Sequence, residues 1–363
     1  MQKNSLRWTY VFSIFFLILL SLFYFHIFLF YPKDSDDANA LLIGQNLFSG
    51  NWYLSGWWIA PDNFITSDEI VYGALLKIFG FRPAILAAVP AILWALLLLL
   101  SGWLALNRRG YTSAWRLLPV AIILGFPMLP SNAVLGAITQ SPAHVGTMCY
   151  VVAIFLVADR LVECTTIRWW YVIFLVVLTG LATSGDPLAD FVGTAPVIVG
   201  VLITSQGSRQ VRLSIFLSVC LGSLIGYEAI RINMAFGGFS AGAIPMVFAN
   251  ASEFTKNFSL TIQSILMIFG ADFLGMPLKD ALPTLLRFFI VLYVAYVVLF
   301  LLHKSMKKLI GDDNKEYSID FVDIILSSGI ILNILSALFS TSLIDIHSGR
   351  YFSIYSPPIM LTA

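Results

Sequence analysis

Three aspartates fall within four consecutive positions of the segment YPKDSDDANALL, directly after the first apolar segment of the chain. They are Asp34, Asp36 and Asp37. Because adjacent carboxylates repel each other, this spacing favours a raised pKa at one of them or a bound cation. At a membrane edge, Asp36 or Asp37 could act as a general base toward an acceptor hydroxyl or amine. The pair could equally ligate a divalent cation, or one of the two could cap a helix that starts near Ala38.

The composition indicates a membrane protein. Of 363 residues, 59% are hydrophobic and only 11% are charged, whereas an ordinary soluble domain carries about 25% charged residues. The formal net charge of +1 leaves no basic surface for nucleic acid. The three cysteines have no metal-ligand spacing and predict neither a disulfide framework nor a zinc site.

Nine apolar segments have about the length needed to cross a bilayer. The first, residues 9–31, is too long for a signal peptide and has no small-residue cleavage site after it, so we expect an uncleaved helix. The others lie at 84–106, 117–134, 143–160, 169–184, 188–204, 213–232, 284–303 and 321–341. A tenth begins at 351 and is cut off by the end of the chain, which we expect to be a C-terminal truncation. The predicted fold class is all-α, a polytopic transmembrane protein with 9–10 spans.

Basic residues predict the orientation of these helices, because cytoplasmic loops carry an excess of Lys and Arg. Lys3 and Arg7 precede the first span, and every short loop that would share their side is basic. Those loops hold Arg108, Arg109, Arg116, Arg160, Arg168, Arg209, Arg212, Lys304, Lys307, Lys308 and Lys315. We therefore predict a multi-pass integral membrane protein with a cytoplasmic N-terminus.

Two long loops would then lie outside, at 32–83 and 233–283. Long loops in compact proteins tend to carry function. Both are rich in apolar and aromatic residues, which predicts interfacial helices at the membrane surface. The polar stretch that starts at His303 predicts a hinge, and we divide the chain into a module over 1–303 and a linker with C-terminal helices over 304–363.

The first long loop resembles that of the GT-C superfamily of polytopic glycosyltransferases. The similar segments are DDANALLIGQNLFSGNW and TSDEIVYGALLKIFG. In that superfamily an acidic pair follows the first helix, then an amphipathic helix and a Gly-Asn/Asp-Trp-like turn. Asp36 and Asp37 match the acidic pair, and 49–52 matches the turn. The large loop after the seventh span also agrees with the topology of similar proteins.

A second similarity lies near the C-terminus, in DIHSGRYFSIYSPPIM. An Arg-Tyr followed by Pro opens a late helix in many such enzymes. The resemblance implies that Arg350, with Tyr351 and His347 beside it, binds the phosphate of the donor. A guanidinium can bind a phosphate through two parallel hydrogen bonds, and it can stabilise the lipid phosphate as that group leaves the sugar. The alternative is an interfacial anchor, since Arg and Tyr are common at headgroup level.

Further polar residues are candidates for a donor cavity or an acceptor site. Similar enzymes often carry a Ser/Gly-Asp-Pro turn where this chain has Asp186 and, four residues on, Asp190; a plain helix-end turn is the alternative. His144 at the start of the fourth span could contact a phosphate or metal, or be a hydrogen-bonded interfacial residue. The pair Asp68 and Glu69 could bind the acceptor or a cation, or simply stay solvated.

Glu228 and Arg231 lie three residues apart near the outer end of the seventh span. That spacing puts both side chains on one helical face, so we expect an ion pair. Ionisable residues in a span are also candidates for function.

The function predicted from these observations is transfer of a sugar from a polyprenyl-phosphate donor to a glycolipid, polysaccharide or protein acceptor. The reaction would take place on the external face, invert the anomeric carbon and use Asp36 and Asp37 as the base. The resemblance implies a bacterial inner membrane, and a divalent cation is the one candidate cofactor. Two alternatives remain open, namely a lipid or solute transporter or flippase, and a non-catalytic scaffold of a glycan-assembly complex.

Overall fold

The computed structural model of the chain is predominantly α-helical and describes residues 2–106, 132–139, 144–242, 247–273, 276–309 and 320–341. The N-terminal half contains α1 (Gln2–Phe28), α2 (Ser35–Phe48), β1 (Trp58–Ile59), the π-helix π1 (Ile65–Glu69), α3 (Ile70–Phe79), α4 (Ile85–Leu106), α5 (Asn132–Thr139) and α6 (Val145–Val162). The rest contains α7 (Trp169–Gly185), the π-helix π2 (Asp190–Thr194), α8 (Ala195–Ile203), α9 (Arg209–Ala235), β2 (Ser240–Ala241), α10 (Ala251–Ile268), α11 (Leu278–Leu309) and α12 (Phe321–Phe339).

Four of the described helices are long and apolar enough to cross a bilayer. They cover Ile85–Ala105, Val145–Val162, Arg209–Ala235 and Phe321–Phe339. Three shorter apolar helices accompany them, at Ser13–Phe28, Trp169–Gly185 and Asp190–Ile203. The predicted span at 188–204 corresponds to the continuous helical segment Asp190–Ile203, which begins as the π-helix π2 and continues as α8. The predicted span at 117–134 lies mostly outside the described residues.

The core lies between helices that the sequence separates widely. α1 packs against α4 through Tyr24 and Trp94, whose rings meet edge to face at a centroid distance of 6.3 Å. α7 and α9 approach closely because glycines line their contact: a Cβ added at Gly226 would lie 2.7 Å from the carbonyl oxygen of Gly180. Small residues at such contacts let apolar helices pack backbone to backbone.

The loop after α1 begins with a capping box rather than with the predicted cap. α2 starts at Ser35, and the Asp34 carboxylate accepts the backbone N–H groups of Asp36 and Asp37. Asp37 completes the box by accepting the N–H of Asp34 at 3.1 Å. The interpretation that Asp36 or Asp37 caps a helix near Ala38 is therefore wrong, because Asp34 has the extended backbone and the spacing that a capping box needs.

The two long loops are joined directly. β1 and β2 pair in parallel, with Trp58 opposite Ser240. The Ser55 hydroxyl donates to the carbonyl of Gly237 at 2.7 Å, and the N–H of Phe239 donates to the carbonyl of Tyr53 at 2.9 Å. The second loop also holds α10, which begins at the N-cap Asn250. Beyond it, α11 stays helical through Leu309, so the start of the predicted linker at 304 is helical; residues 310–319 lie outside the described part of the chain.

Candidate functional site

The segment from Asn63 to Glu69 of the first loop is held between the start of α6 and the end of α7. The N–H of Phe64 donates to the carbonyl of Gly185 at 2.8 Å, and the Asn63 amide donates to the carbonyl of Ser184 at 2.7 Å. The Tyr150 hydroxyl of α6 donates to the carbonyl of Thr66 at 2.7 Å. These bonds fix the loop against two apolar helices and set the positions of the side chains it carries.

His144 and Asp186 form a buried pair where α6 begins and α7 ends. His144 Nδ1 lies 2.6 Å from Asp186 Oδ2, and only 5% and 2% of the two side chains are exposed. The Thr147 hydroxyl donates to the same carboxylate oxygen at 2.7 Å, and the N–H of Leu188 donates to Oδ1 at 2.9 Å. Burial alone would raise the pKa of Asp186. The charge and hydrogen bond of His144, with the bonds from Thr147 and Leu188, outweigh burial and lower that pKa.

The pairing requires a proton on Nδ1 of His144. An ionised carboxylate only accepts hydrogen bonds, so Nδ1 of His144 is its donor. The Nε2 atom on the other side of the ring faces Asp62, whose Oδ2 lies 3.9 Å away. The Asp62 side chain is 31% exposed, so this end of the pair reaches the surface of the site.

Asp62, Asp68 and Glu69 are here called the acidic group; Asp68 and Glu69 end the loop segment, and Asp62 directly precedes it. Asp68 and Glu69 are 1% and 2% exposed, so the interpretation that they stay solvated is wrong. Burial first, and then the negative charges of Asp68 and Asp62, raise the pKa of Glu69 well above its usual value. Its Oε2 atom is buried and accepts no hydrogen bond from the described residues. Within the acidic group, Glu69 therefore favours its protonated form, because the buried surroundings disfavour a charged carboxylate.

Two residues at this site adopt left-handed backbone conformations. Phe64 has φ of 50° and His144 has φ of 60°, a region that non-glycine residues visit rarely. Their rings meet edge to face at a centroid distance of 5.0 Å. Backbone strain of this kind is concentrated at functional sites. Here the two strained residues are Phe64 of the loop and His144 at the start of α6, whose rings are in contact.

The predicted base residues lie at the start of α2 in different environments. Asp36 is exposed, whereas Asp37 is fully buried. Consecutive helical side chains point about 100° apart, so the two carboxylates diverge. Lys33 lies beside them and donates to the carbonyl of Thr139 at 2.7 Å. Burial lowers the pKa of Lys33, while the charges of Asp37 and Asp34 raise it and offset part of that effect.

The described residues do not fit a divalent cation. Among them, no group of three or more His, Cys, Asp or Glu side chains is arranged to hold a metal ion. The proposed ligand pair of Asp36 and Asp37 is divided between an exposed and a buried position. A single carboxylate with no further ligands makes a poor site for an ion that takes six or more oxygens.

Comparison of the chain with protein-family models, with curated proteins and with solved structures finds no match.

The remaining predicted residues have separate positions. Asp190 accepts the hydroxyls of Thr183 at 3.0 Å and Ser223 at 2.6 Å, so it joins α7 to α9 rather than lining the site. The predicted ion pair is confirmed: Arg231 Nη1 lies 2.8 Å from Glu228 Oε1 on the exposed face of α9. The predicted phosphate-binding residues His347, Arg350 and Tyr351 lie outside the described residues.

Sequence reasoning missed Asp62 and Thr147. Asp62 belongs to the Pro-Asp-Asn stretch at 61–63, which is a turn signal that precedes the acidic pair. That signal was available in the sequence. Thr147 gave none, because a lone threonine one turn into an apolar helix is ordinary.

Proposed function

We propose that the chain is a GT-C-type membrane glycosyltransferase with 9–10 spans and a cytoplasmic N-terminus. It moves a sugar from a polyprenyl-phosphate donor to a glycolipid, polysaccharide or protein acceptor on the external face. One observation supports the proposal: the first-loop carboxylate of Asp62 lies 3.9 Å from His144 Nε2, and His144 is paired with Asp186 at one end of two adjacent apolar helices. A membrane-edge site of this kind suits a substrate whose lipid tail stays in the bilayer.

In this proposal Asp36 is the base. Its exposed carboxylate stands in the first turn of α2, one residue before the buried Asp37. The acceptor hydroxyl donates its proton to Asp36 and attacks the anomeric carbon, and the lipid phosphate leaves with inversion at that carbon. Asp37 holds the start of the helix through the N–H of Asp34 and so positions Asp36.

His144 is the second polar element of the proposal. Asp186 holds its Nδ1, which turns Nε2 toward Asp62 and the surface of the site. When the ring carries a proton on both nitrogens, Nε2 can donate a hydrogen bond from there to an oxygen of the acceptor or of the departing phosphate. The joined loops around β1 and β2 would shield the donor from water, which would otherwise hydrolyse it.

The test is transfer from a set of radiolabelled polyprenyl-phosphate sugars in membranes that contain the full chain. Asp36→Asn should reduce the rate by about 10²-fold or more, since it removes the base. Asp34→Asn is the matched control two residues away. Asparagine caps helices as well as aspartate does, so this variant should keep both the fold and the rate.

Each outcome bears on the proposal. Loss in Asp37→Asn but not in Asp36→Asn would move the base to the buried carboxylate. Transfer that survives both changes would defeat the mechanism. A folded chain that transfers from no donor would favour a transporter or a scaffold instead.

A further inference from the structure

A second polar cleft lies at the far ends of α6 and α7, between the end of one helix and the start of the other. It has a volume of about 320 Å³ and is lined by Arg160, Glu163, Cys164, Thr165, Thr166, Arg168 and Tyr171. We call it the turn cleft. We propose that the turn cleft binds the phosphate of an anionic phospholipid headgroup.

The turn cleft is separate from the candidate active site. His144 precedes the first residue of α6, whereas Arg160 and Glu163 lie at that helix's other end. An 18-residue helix is about 27 Å long, which is close to the thickness of the apolar part of a bilayer. The cleft therefore faces the opposite membrane surface, and its ligand is independent of the proposed transfer reaction.

The charges of the turn cleft favour an anion. Arg160 and Arg168 contribute two guanidinium groups, and Glu163 is the one carboxylate in the lining. Arg160 Nη1 lies 3.4 Å from Glu163 Oε2, which is a long contact for a charged pair. In the described part of the chain Arg168 makes no ion pair. Guanidinium groups match phosphate oxygens in charge and geometry, and the Thr165 and Thr166 hydroxyls add donors.

The start of α7 adds to this preference. Arg168 occupies the N-cap position without a side-chain cap bond. The first N–H groups of a helix carry partial positive charge and attract anions. Arg168 and Tyr171 both line the cleft, so the beginning of this 17-residue helix borders it.

The surroundings of the cleft distinguish a lipid from a soluble phosphate. α7 continues from the cleft with large exposed apolar side chains on its outer face. These are Trp169, Trp170, Ile173, Phe174, Val177 and Leu181. Tryptophans at the start of such a face are typical of headgroup level. An acyl chain could lie along this face while the phosphate of the same molecule occupies the cleft.

The test is native mass spectrometry of the full chain in detergent, titrated separately with dioleoylphosphatidylglycerol, dioleoylphosphatidylcholine and inorganic phosphate. Phosphatidylglycerol should bind more tightly than the other two. Arg160→Gln and Arg168→Gln should each weaken its binding about fivefold, the usual contribution of one basic residue at an anionic membrane surface. Arg168→Lys should retain part of the affinity.

Two further variants test the charge argument. Glu163→Gln removes the carboxylate that competes for Arg160, so it should strengthen phosphatidylglycerol binding. Arg209→Gln removes an exposed basic residue at the start of α9, outside the cleft, and should weaken binding far less than Arg168→Gln does. The proposal is overturned if Arg209→Gln weakens binding as much as Arg168→Gln, or if phosphatidylcholine binds equally well. It is also overturned if inorganic phosphate binds and phosphatidylglycerol does not.

Discussion

Glu69→Gln tests the buried acidic group through the pH dependence of stability. Burial and two neighbouring carboxylates raise the pKa of Glu69 in the folded chain, whereas in the unfolded chain it is about 4.3. The folded state therefore holds the proton over a pH range in which the unfolded state releases it. The stability that this group contributes is complete below about pH 4.3 and is lost as the pH rises toward the folded-state pKa.

The size of the effect follows from one proton. Across that window the free energy of unfolding should fall by up to about 1.4 kcal/mol per pH unit because of Glu69. Glutamine keeps the shape of the side chain and cannot ionise, so Glu69→Gln should remove this slope and gain stability relative to the parent as the pH rises.

The assay is denaturation in mixed detergent micelles at several pH values, followed by the fluorescence of the nine tryptophans. Glu163→Gln is the comparison variant, since it removes a carboxyl group from the turn cleft at the other end of α6 and shows what the loss of a carboxyl group far from the acidic group does to the slope. An identical pH slope in the parent and in Glu69→Gln would refute the burial of Glu69 beside two acids.

Three other variants probe packing and hydrogen bonding, each read out by thermal unfolding. Gly146→Ala should lower the free energy of unfolding by about 1–3 kcal/mol, because a Cβ there would overlap Asp68 Oδ2. Gly102→Ala is the control, since a Cβ there meets open space, and it should not destabilise the fold. Destabilisation by Gly102→Ala would show that the effect at Gly146 is not specific to the contact with Asp68. Asp186→Asn should cost about 1.5–3 kcal/mol at neutral pH, and the loss should vanish as the pH falls below about 3.9 and through the lowered folded-state pKa. Asn257→Ala should cost about 1–3 kcal/mol, because its buried amide donates to the carbonyls of residues 338 and 340; an unchanged midpoint would contradict these two bonds.

The helices were the part of the fold that the sequence could predict. Long apolar runs such as 84–106 and 143–160 correspond closely to α4 and α6, because twenty apolar residues leave few alternatives. The ion pair of Glu228 and Arg231 followed from helical spacing alone. The π-helical start of the segment at 190–194 was not predictable, because the apolar pattern at 188–204 gives no sign of it; nor were the hydrogen bonds of Asp190 to Thr183 and Ser223 on neighbouring helices.

The candidate site could be predicted only in part. His144, Asp186, Asp68 and Glu69 were recognised as polar residues at the ends of apolar segments. Their burial, and the hydrogen bond between His144 and Asp186, depend on contacts across 42 residues of sequence that no local pattern encodes. The pairing of Trp58 with Ser240 had no sequence signal either, because two-residue strands are too short to show an alternating pattern.

The bonds that hold the first loop impose an order on the maturation of the chain. The Asn63 amide can form its bond only after Ser184 has been synthesised, 121 residues later. The Ser55 hydroxyl can form its bond only after Gly237 has been synthesised, 182 residues later. At ribosomal speeds of about 5–20 residues per second, the second interval lasts about 10–40 s. The loop therefore emerges long before its partners, and until they appear its amide and hydroxyl groups bond to water instead. Joining of the two loops is consequently a late step, completed only after α9 has been synthesised.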